Sequence, residues 1–367
     1  MRILFVNTHY FLPQSVGGMA ITLHQLAKGL QGRGHEVAVL AGFRRGGLFG
    51  LLGQVRMRLA ALRGGAKLSR DTGNGYPVWR SWNPAGAVAD VAASERPDVI
   101  VIMGGQVVPA ALAARNTGLP VVVQVHDVEL HWHGGNYMQI ADLPCIANSQ
   151  FTAAQYRSLF GVEPRVVYPF IDPSRYRTPT TREFVTFVNP YLRKGALVAY
   201  RTALACPEIP FRFIGRAHEQ GEDGTDLAAA IAALPNVQVE PPQSDMREVY
   251  RRTKILFAPS QWEEAYGRVA TEAQLSGIPV LGSDRGGLPE AIGPGGVVLA
   301  HDAPIAEWTA ALRGMWSDPA LYDELSAAAL AWSAREELDS AAQLALHEQA
   351  INEAISAQPA LRNSTSA

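Results

Sequence analysis

Short runs of β-branched and aromatic residues alternate along the chain with Ala-rich stretches whose apolar positions recur at helical spacing. This alternation is the signature of βαβ units wound about parallel sheets. Strand-like runs fall near 2–8, 36–42, 77–82, 98–104, 120–127, 144–148 and 164–168, with helical pattern between them. The stretch YPFIDPSRYRTPTT interrupts the alternation, which then begins afresh with EFVTFVN, FRFIG, VQVE, KILFAPS, PVLGSD and GVVLA. The restart predicts a boundary near residue 172 and two doubly wound α/β domains, about 1–172 and 173–340, facing each other across a ligand cleft. From about Ala303 the pattern is almost wholly helical. A last helix over about 341–360 is expected to pack back on the first domain, and the polar tail QPALRNSTSA to fray.

Composition narrows the function more than the fold. The chain has 367 residues, 47% of them hydrophobic and 18% charged, which is ordinary globular material. A net charge of -2 gives no electrostatic reason to expect nucleic acid. No apolar run approaches the ~20 residues that span a bilayer, and RILFVN is too short for a signal-peptide core, so a cytoplasmic protein is expected. Cys145 and Cys206 show no metal or redox spacing and read as small buried hydrophobes.

Candidate chemistry concentrates at strand ends, because that is where open α/β domains bind ligands. KILFAPSQWEEAYG reads as a strand running into a loop, and GRVATEAQLSG as a helix from about Gly267 to about Gly277, stopped by Pro279. Backbone N–H groups at such a helix start suit a phosphate, and Gly267 lets the backbone approach it. Glu264 precedes the helix and Glu272 lies inside it, so the two carboxylates would reach different parts of one ligand. The bland alternative makes Glu263 and Glu264 partners of the helix dipole and Glu272 a solvated surface residue. PVLGSDRGGLPEAIG follows at once, a strand ending in a Gly-Gly turn that opens a second short helix.

Together, PSQWEEAYGRVATEAQLSGIPV and GGLPE resemble the donor-binding signature of the retaining glycosyltransferases of family 4, which have two Rossmann-like domains in the GT-B arrangement. The signature has two Glu separated by seven residues, set between a Pro-Ser strand end and a Gly-hydrophobic-Pro-Val strand start. The resemblance extends over MRILFVNTHYFLPQSVGGMAITLHQLAKGLQGRGHEVAVLAG, CIANSQFTAAQYRSLFG, VVYPFIDPSRY and KGALVAYRTAL. It implies a metal-independent enzyme that moves a sugar, with retention, from a UDP-sugar or GDP-sugar to a glycan, glycolipid or natural-product acceptor, with no cofactor. It further implies that Glu264 meets the donor sugar, Glu272 the ribose, and the backbone of Tyr266, Gly267 and Arg268 the diphosphate. Gly17 and Gly18 would let the first loop close over the donor, although a Gly pair beside Pro13 also suits a flexible loop. His126 would contact the sugar at its reacting face.

One departure stands out. The family places Gly-Arg at the end of the second domain's first strand and a Lys in a following Lys-Gly. Here the strand ends FVNPYLRKG, so Lys194 matches, while Asn189 and Pro190 replace Gly-Arg. Arg193 is the candidate for the missing cation, with Asn189 as a hydrogen-bonding alternative. No carboxylate suggests itself as a nucleophile, and the resemblance implies a same-face reaction in which the leaving diphosphate takes the acceptor's proton.

Other classes remain open. A zinc site could draw on His126, His131 and His133 with Asp127 and Glu129, but nothing in their spacing enforces it. A sugar-nucleotide epimerase of the same architecture and a non-catalytic nucleotide-sugar sensor are the competing readings. A dinucleotide oxidoreductase is disfavoured, since no G-x-G-x-x-G turn follows the first strand. Finally, residues 42–70 carry Arg44, Arg45, Arg56, Arg58, Arg63, Lys67 and Arg70 without one acid, interleaved with Leu and Phe. Such a segment either docks peripherally on an anionic membrane or is a solvated helix covering the first sheet.

Overall fold

In the computed structural model, which describes residues 1–62, 64–215 and 226–357, the apolar runs assemble into two separate sheets. Arg63 of the basic segment and the tail QPALRNSTSA lie outside the described residues. Two units divide the chain. One takes in Met1–Phe170 and, of the described residues, those from Ser340 to Ala357, and the other is Ile171–Asp339.

The first unit begins with β1 (Arg2–Tyr10), α1 (Gly18–Gly32), β2 (Glu36–Gly42), α2 (Gly47–Leu62), β3 (Ser69–Asp71) and β4 (Val78–Ser81). It continues with α3 (Val88–Glu95), β5 (Val99–Met103), α4 (Val107–Arg115), β6 (Val121–Val125), β7 (Cys145–Ala147), α5 (Gln150–Phe160) and β8 (Arg165–Val166). Its strand order is β3-β4-β2-β1-β5-β6-β7-β8. Ile3 and Phe5 of β1 enter one buried cluster, and Leu4 and Val6 the other. Both faces of the sheet are therefore covered, which is why these strands read as unbroken apolar runs rather than as alternations. The order reverses direction between β1 and β5, the place where doubly wound sheets hold ligands. Among the described residues the one antiparallel pairing is β3 with β4. The pattern did not foretell β3, because three residues reading Ser-Arg-Asp carry no apolar signal.

The second unit runs β9 (Phe184–Val188), α6 (Ala196–Ala205), β10 (Phe211–Ile214), α7 (Leu227–Ala232), β11 (Val237–Glu240), α8 (Met246–Arg251) and β12 (Thr253–Ala258). Then come α9 (Arg268–Gln274), β13 (Val280–Ser283), α10 (Leu288–Ile292), β14 (Gly296–Leu299), α11 (Ile305–Ser317) and α12 (Pro319–Ser333). The sheet order is β11-β10-β9-β12-β13-β14, and every pair is parallel. Aromatic side chains pair within this core. Phe187 meets Phe213 edge-on at 5.3 Å between ring centres, and Phe257 meets the fully buried Trp308 at 5.5 Å.

The chain then returns to the first unit as α13 (Ser340–Ala357). Leu344, Ala350, Ile351 and Ala354 join the cluster that holds Ile3, Phe5 and Leu26. Arg33 grips Glu348 with two hydrogen bonds, at 2.7 and 2.8 Å, and His35 adds a third at 2.7 Å.

Candidate functional site

Lys194 and Glu264 come together at the carboxyl ends of β9 and β12. Lys194 closes a short turn (Leu192–Lys194), and Gly195 follows at φ 88°. A Cβ on Gly195 would lie 1.9 Å from the carbonyl oxygen of Pro259, so only glycine lets this turn press against the end of β12. The close approach has a purpose in the geometry. It delivers the Lys194 ammonium to both oxygens of Glu264, at 2.5 and 2.7 Å. The buried Ser260 hydroxyl lies 2.9 Å from the same carboxylate, and the Arg193 carbonyl accepts from the N–H groups of Gln261 and Trp262. In the sequence Ser260 reads only as a strand-end residue, since a serine in a Pro-Ser pair carries no signal of its partner.

The structure also explains why Glu264 and the Gly-Gly turn occur together. Gly286 has φ 61°, and a Cβ on it would lie 2.3 Å from the Glu264 carbonyl oxygen, while one on Gly287 would lie 2.7 Å from that of Ala265. Gly287 N–H donates to the Glu264 carbonyl at 2.6 Å. The turn is thus a rail along which the glutamate loop is laid.

Glu272 occupies a different setting. It is buried, accepts from Arg268 Nε at 2.6 Å and from the Tyr250 hydroxyl at 3.1 Å, and Arg268 Nη2 reaches the Tyr176 hydroxyl at 2.8 Å. Burial drags on the Arg268 charge, but the Glu272 carboxylate and the Tyr176 phenol outweigh it and hold the guanidinium above its ordinary pKa. The alternative of a solvated Glu272 is overturned by this burial. Tyr250 and Tyr176 are distant in sequence, and no spacing rule links them to Glu272.

The helix bearing Glu272 is shorter than its pattern, with seven residues and Gly267 capping it at φ 94°. Leu275 to Gly277 continue as a turn because Gly277 adopts φ 67°. Tyr266 points into the core, where its hydroxyl meets Thr271 at 2.8 Å, so the backbone is what it offers a ligand. Asn189 has φ 57°, a left-handed conformation that asparagine tolerates better than other side chains, and so it satisfies the backbone demand a glycine would meet. The Arg193 guanidinium stacks over the Trp262 ring at 5.2 Å.

In the first unit, Gly17 caps α1 at φ -76° and Gly18 begins it. A Cβ on Gly18 meets nothing within 4 Å, and one on Gly17 meets only the Ser15 hydroxyl at 4.0 Å, so the fold itself does not require glycine at either. His126 and Asp127 follow β6, with His126 Nδ1 3.5 Å from Asn148 Nδ2 beyond β7. Burial raises the Asp127 carboxyl above its usual range against the opposing influence of His9. His133 is a core residue bonded to the Tyr156 hydroxyl at 2.7 Å, which separates it from the exposed His131. Among the described residues no three of His, Cys, Asp and Glu form a group that could hold a metal.

Residues 16–175 match the model described as Glycosyltransferase Family 4, and residues 173–332 the one described as Glycosyl transferases group 1. A D-inositol 3-phosphate glycosyltransferase of Rhodococcus erythropolis is 30% identical over 218 residues, covering 50% of this chain and 48% of that protein. The chain spans about half the length of the curated relatives it matches first. Among solved structures, HepE of Anabaena in complex with UDP and glucose has a TM-score of 0.72 at 19% identity, over 96% of this chain and 100% of that one. Sucrose-phosphate synthase of Thermosynechococcus elongatus has a TM-score of 0.73 at 14% identity, over 97% and 100%. These two likenesses speak for the fold.

Proposed function

The chain belongs to glycosyltransferase family 4, and from that premise we propose that it transfers a sugar from a nucleoside diphosphate to an acceptor, with retention and without a metal ion. The observation that carries the reading is the Lys194–Glu264 pair, an ammonium and a carboxylate held side by side at the strand ends with Ser260 fixing one oxygen. A nucleotide sugar needs both. Its diphosphate gains negative charge as the bond to the anomeric carbon breaks, and its ring gains positive charge. Lys194 serves the first need and Glu264, at the sugar hydroxyls, the second, while Arg193 adds a second cation. The acceptor oxygen attacks from the face the diphosphate leaves, and its proton passes to the departing phosphate oxygen.

Glu272 holds the ribose edge through an orientation fixed by Arg268 and Tyr250. The backbone from Tyr266 to Arg268 lies at the diphosphate. His126, Gly17 and Gly18 supply the first unit's contribution to the donor. A UDP-sugar is the first donor to try, since the Anabaena neighbour was solved with UDP and glucose. GDP-sugars come next. Inositol phosphates belong in the acceptor panel because of the inositol-phosphate relatives, beside glycans, glycolipids and natural products.

Mass spectrometry of products from a donor and acceptor panel, run with and without a chelator, tests this reading. A new glycoside that needs both substrates and survives chelation is expected. Epimerised donor formed without any acceptor, or no turnover across the panel, overturns it.

A further inference from the structure

Helix α2 wears its apolar side outward. Its buried positions are Gly50, Gly53 and Met57. Leu48, Leu51, Leu52, Val55, Leu59 and Leu62 are between 47% and 84% exposed. With about 100° of turn per residue, the buried three share one side of the helix, and the six exposed residues fall within an arc of roughly 100° on the opposite side. A helix that merely covers a sheet shows the reverse pattern. Scattered apolar residues on a surface need no explanation, but a continuous stripe of six does. Arg56 and Arg58, both exposed, stand one on each border of the stripe.

The surrounding charge has one sign. Residues 42–70 contain no Asp or Glu. Among the described residues, Arg70 is the basic residue of this segment with an ion pair, to Glu95. Arg45 lies 4.9 Å over the ring of Trp82, which is itself 46% exposed. A second copy of this chain is a poor match for such a surface, because docking stripe to stripe would bring Arg56 and Arg58 against their own kind with no acid in the segment to offset them.

We propose that α2 is a docking helix for an anionic phospholipid surface. The Leu and Val stripe enters below the headgroups, while the Arg56 and Arg58 stems run along it and place their guanidinium groups at the phosphates. Trp82, amphipathic and exposed beside Arg45, sits naturally at the same depth. This assignment rests on α2 and its borders alone and is independent of the sugar-transfer reading.

Co-sedimentation of the full chain with vesicles of phosphatidylcholine, alone or mixed with phosphatidylglycerol, tests it. Binding to the mixed vesicles at low salt is expected, falling as salt rises, with little binding to phosphatidylcholine alone. Replacing both arginines (Arg56→Gln with Arg58→Gln) should lower partitioning roughly twenty-fivefold, at about fivefold per charge. Leu51→Gln with Val55→Gln should lower it at every salt concentration. These are exposed positions, so both variants should keep the parent's thermal melt, which separates lost docking from lost folding. Equal binding to neutral and anionic vesicles, or unchanged binding by the Leu51 and Val55 variant, overturns the proposal. So does a concentration-dependent dimer in sedimentation velocity that the same variant abolishes.

Discussion

Neutralising Glu264 should tighten the binding of a bare nucleoside diphosphate while slowing sugar transfer. The Lys194 ammonium is committed to both Glu264 oxygens, at 2.5 and 2.7 Å. The pair is partly exposed, with side-chain exposures of 32% and 16%, so its net contribution is about 1 kcal/mol rather than the several that bare Coulomb attraction would give. Glu264→Gln releases that ammonium and removes a negative charge from beside the diphosphate. The affinity for UDP should rise roughly fivefold, the equivalent of about 1 kcal/mol. Turnover should move the other way, falling by about ten- to a hundredfold, because the lost contact is a charge-assisted hydrogen bond of about 1.5–3 kcal/mol that tightens as the ring becomes positive. Isothermal titration with UDP and steady-state turnover read the two effects, and Lys194→Ala, expected to weaken UDP binding about tenfold, is the control. UDP binding that weakens in Glu264→Gln would show that Lys194 does not serve the diphosphate, and unchanged turnover would remove Glu264 from the sugar.

Three further outcomes are expected. Glu272→Leu leaves the largely buried Arg268 charged and without its carboxylate, at a cost of about 3 kcal/mol and a melting point roughly 10 °C lower, which Arg268→Met in the same chain should largely restore; a melting point within a degree or two of the parent would contradict the pair. Gly18→Ala meets open space at the start of α1 and should leave thermal stability equal or slightly higher. If the glycine is there for the donor, turnover nonetheless falls, and unchanged turnover in a stable variant would dismiss Gly18 from the site. His347, buried against Gln124 and Gln343, has its pKa lowered by burial from 6.5 to about 4, so the unfolded chain binds its proton first. Its contribution is whole above pH 6.5 and is lost as pH falls toward 4, by up to about 3 kcal/mol. Urea titrations across that range should show a shallower pH slope in His347→Gln, and an identical slope would refute the assignment.

What the sequence revealed follows from how local each signal is. The central strands of the sheets were legible because burial on two faces makes them almost wholly apolar, as in VIVIM, whereas Ser-Arg-Asp of β3 gave no such run. Glu264, Lys194 and the Gly-Gly turn were legible as types at spacings. Their reason was not, since the pressure of Gly195 on Pro259 and of Gly286 on Glu264 joins residues far apart in the chain. Glu272 shows the limit most clearly. Its place on a helix was readable, but its burial depends on Tyr250 and Tyr176, which only the folded unit brings to it. Asn189 looked like a departure from a Gly-Arg pattern, and its left-handed backbone shows that half of that pattern's demand is still met. The outward stripe of α2 was hidden because periodicity reports that a helix has an apolar side, not which way that side faces.

The return of α13 to the first unit sets an order of completion on the ribosome. Residues 1–170 emerge first, yet one face of their sheet lacks Leu344, Ala350, Ile351 and Ala354 until the last turns of the chain have been made. The second unit, Ile171–Asp339, has all of its own core by then. The unit that begins first is therefore finished last, and it waits through the synthesis of an entire neighbouring domain with an apolar face that α1 alone covers only in part, the interval in which a nascent chain most needs protection from aggregation.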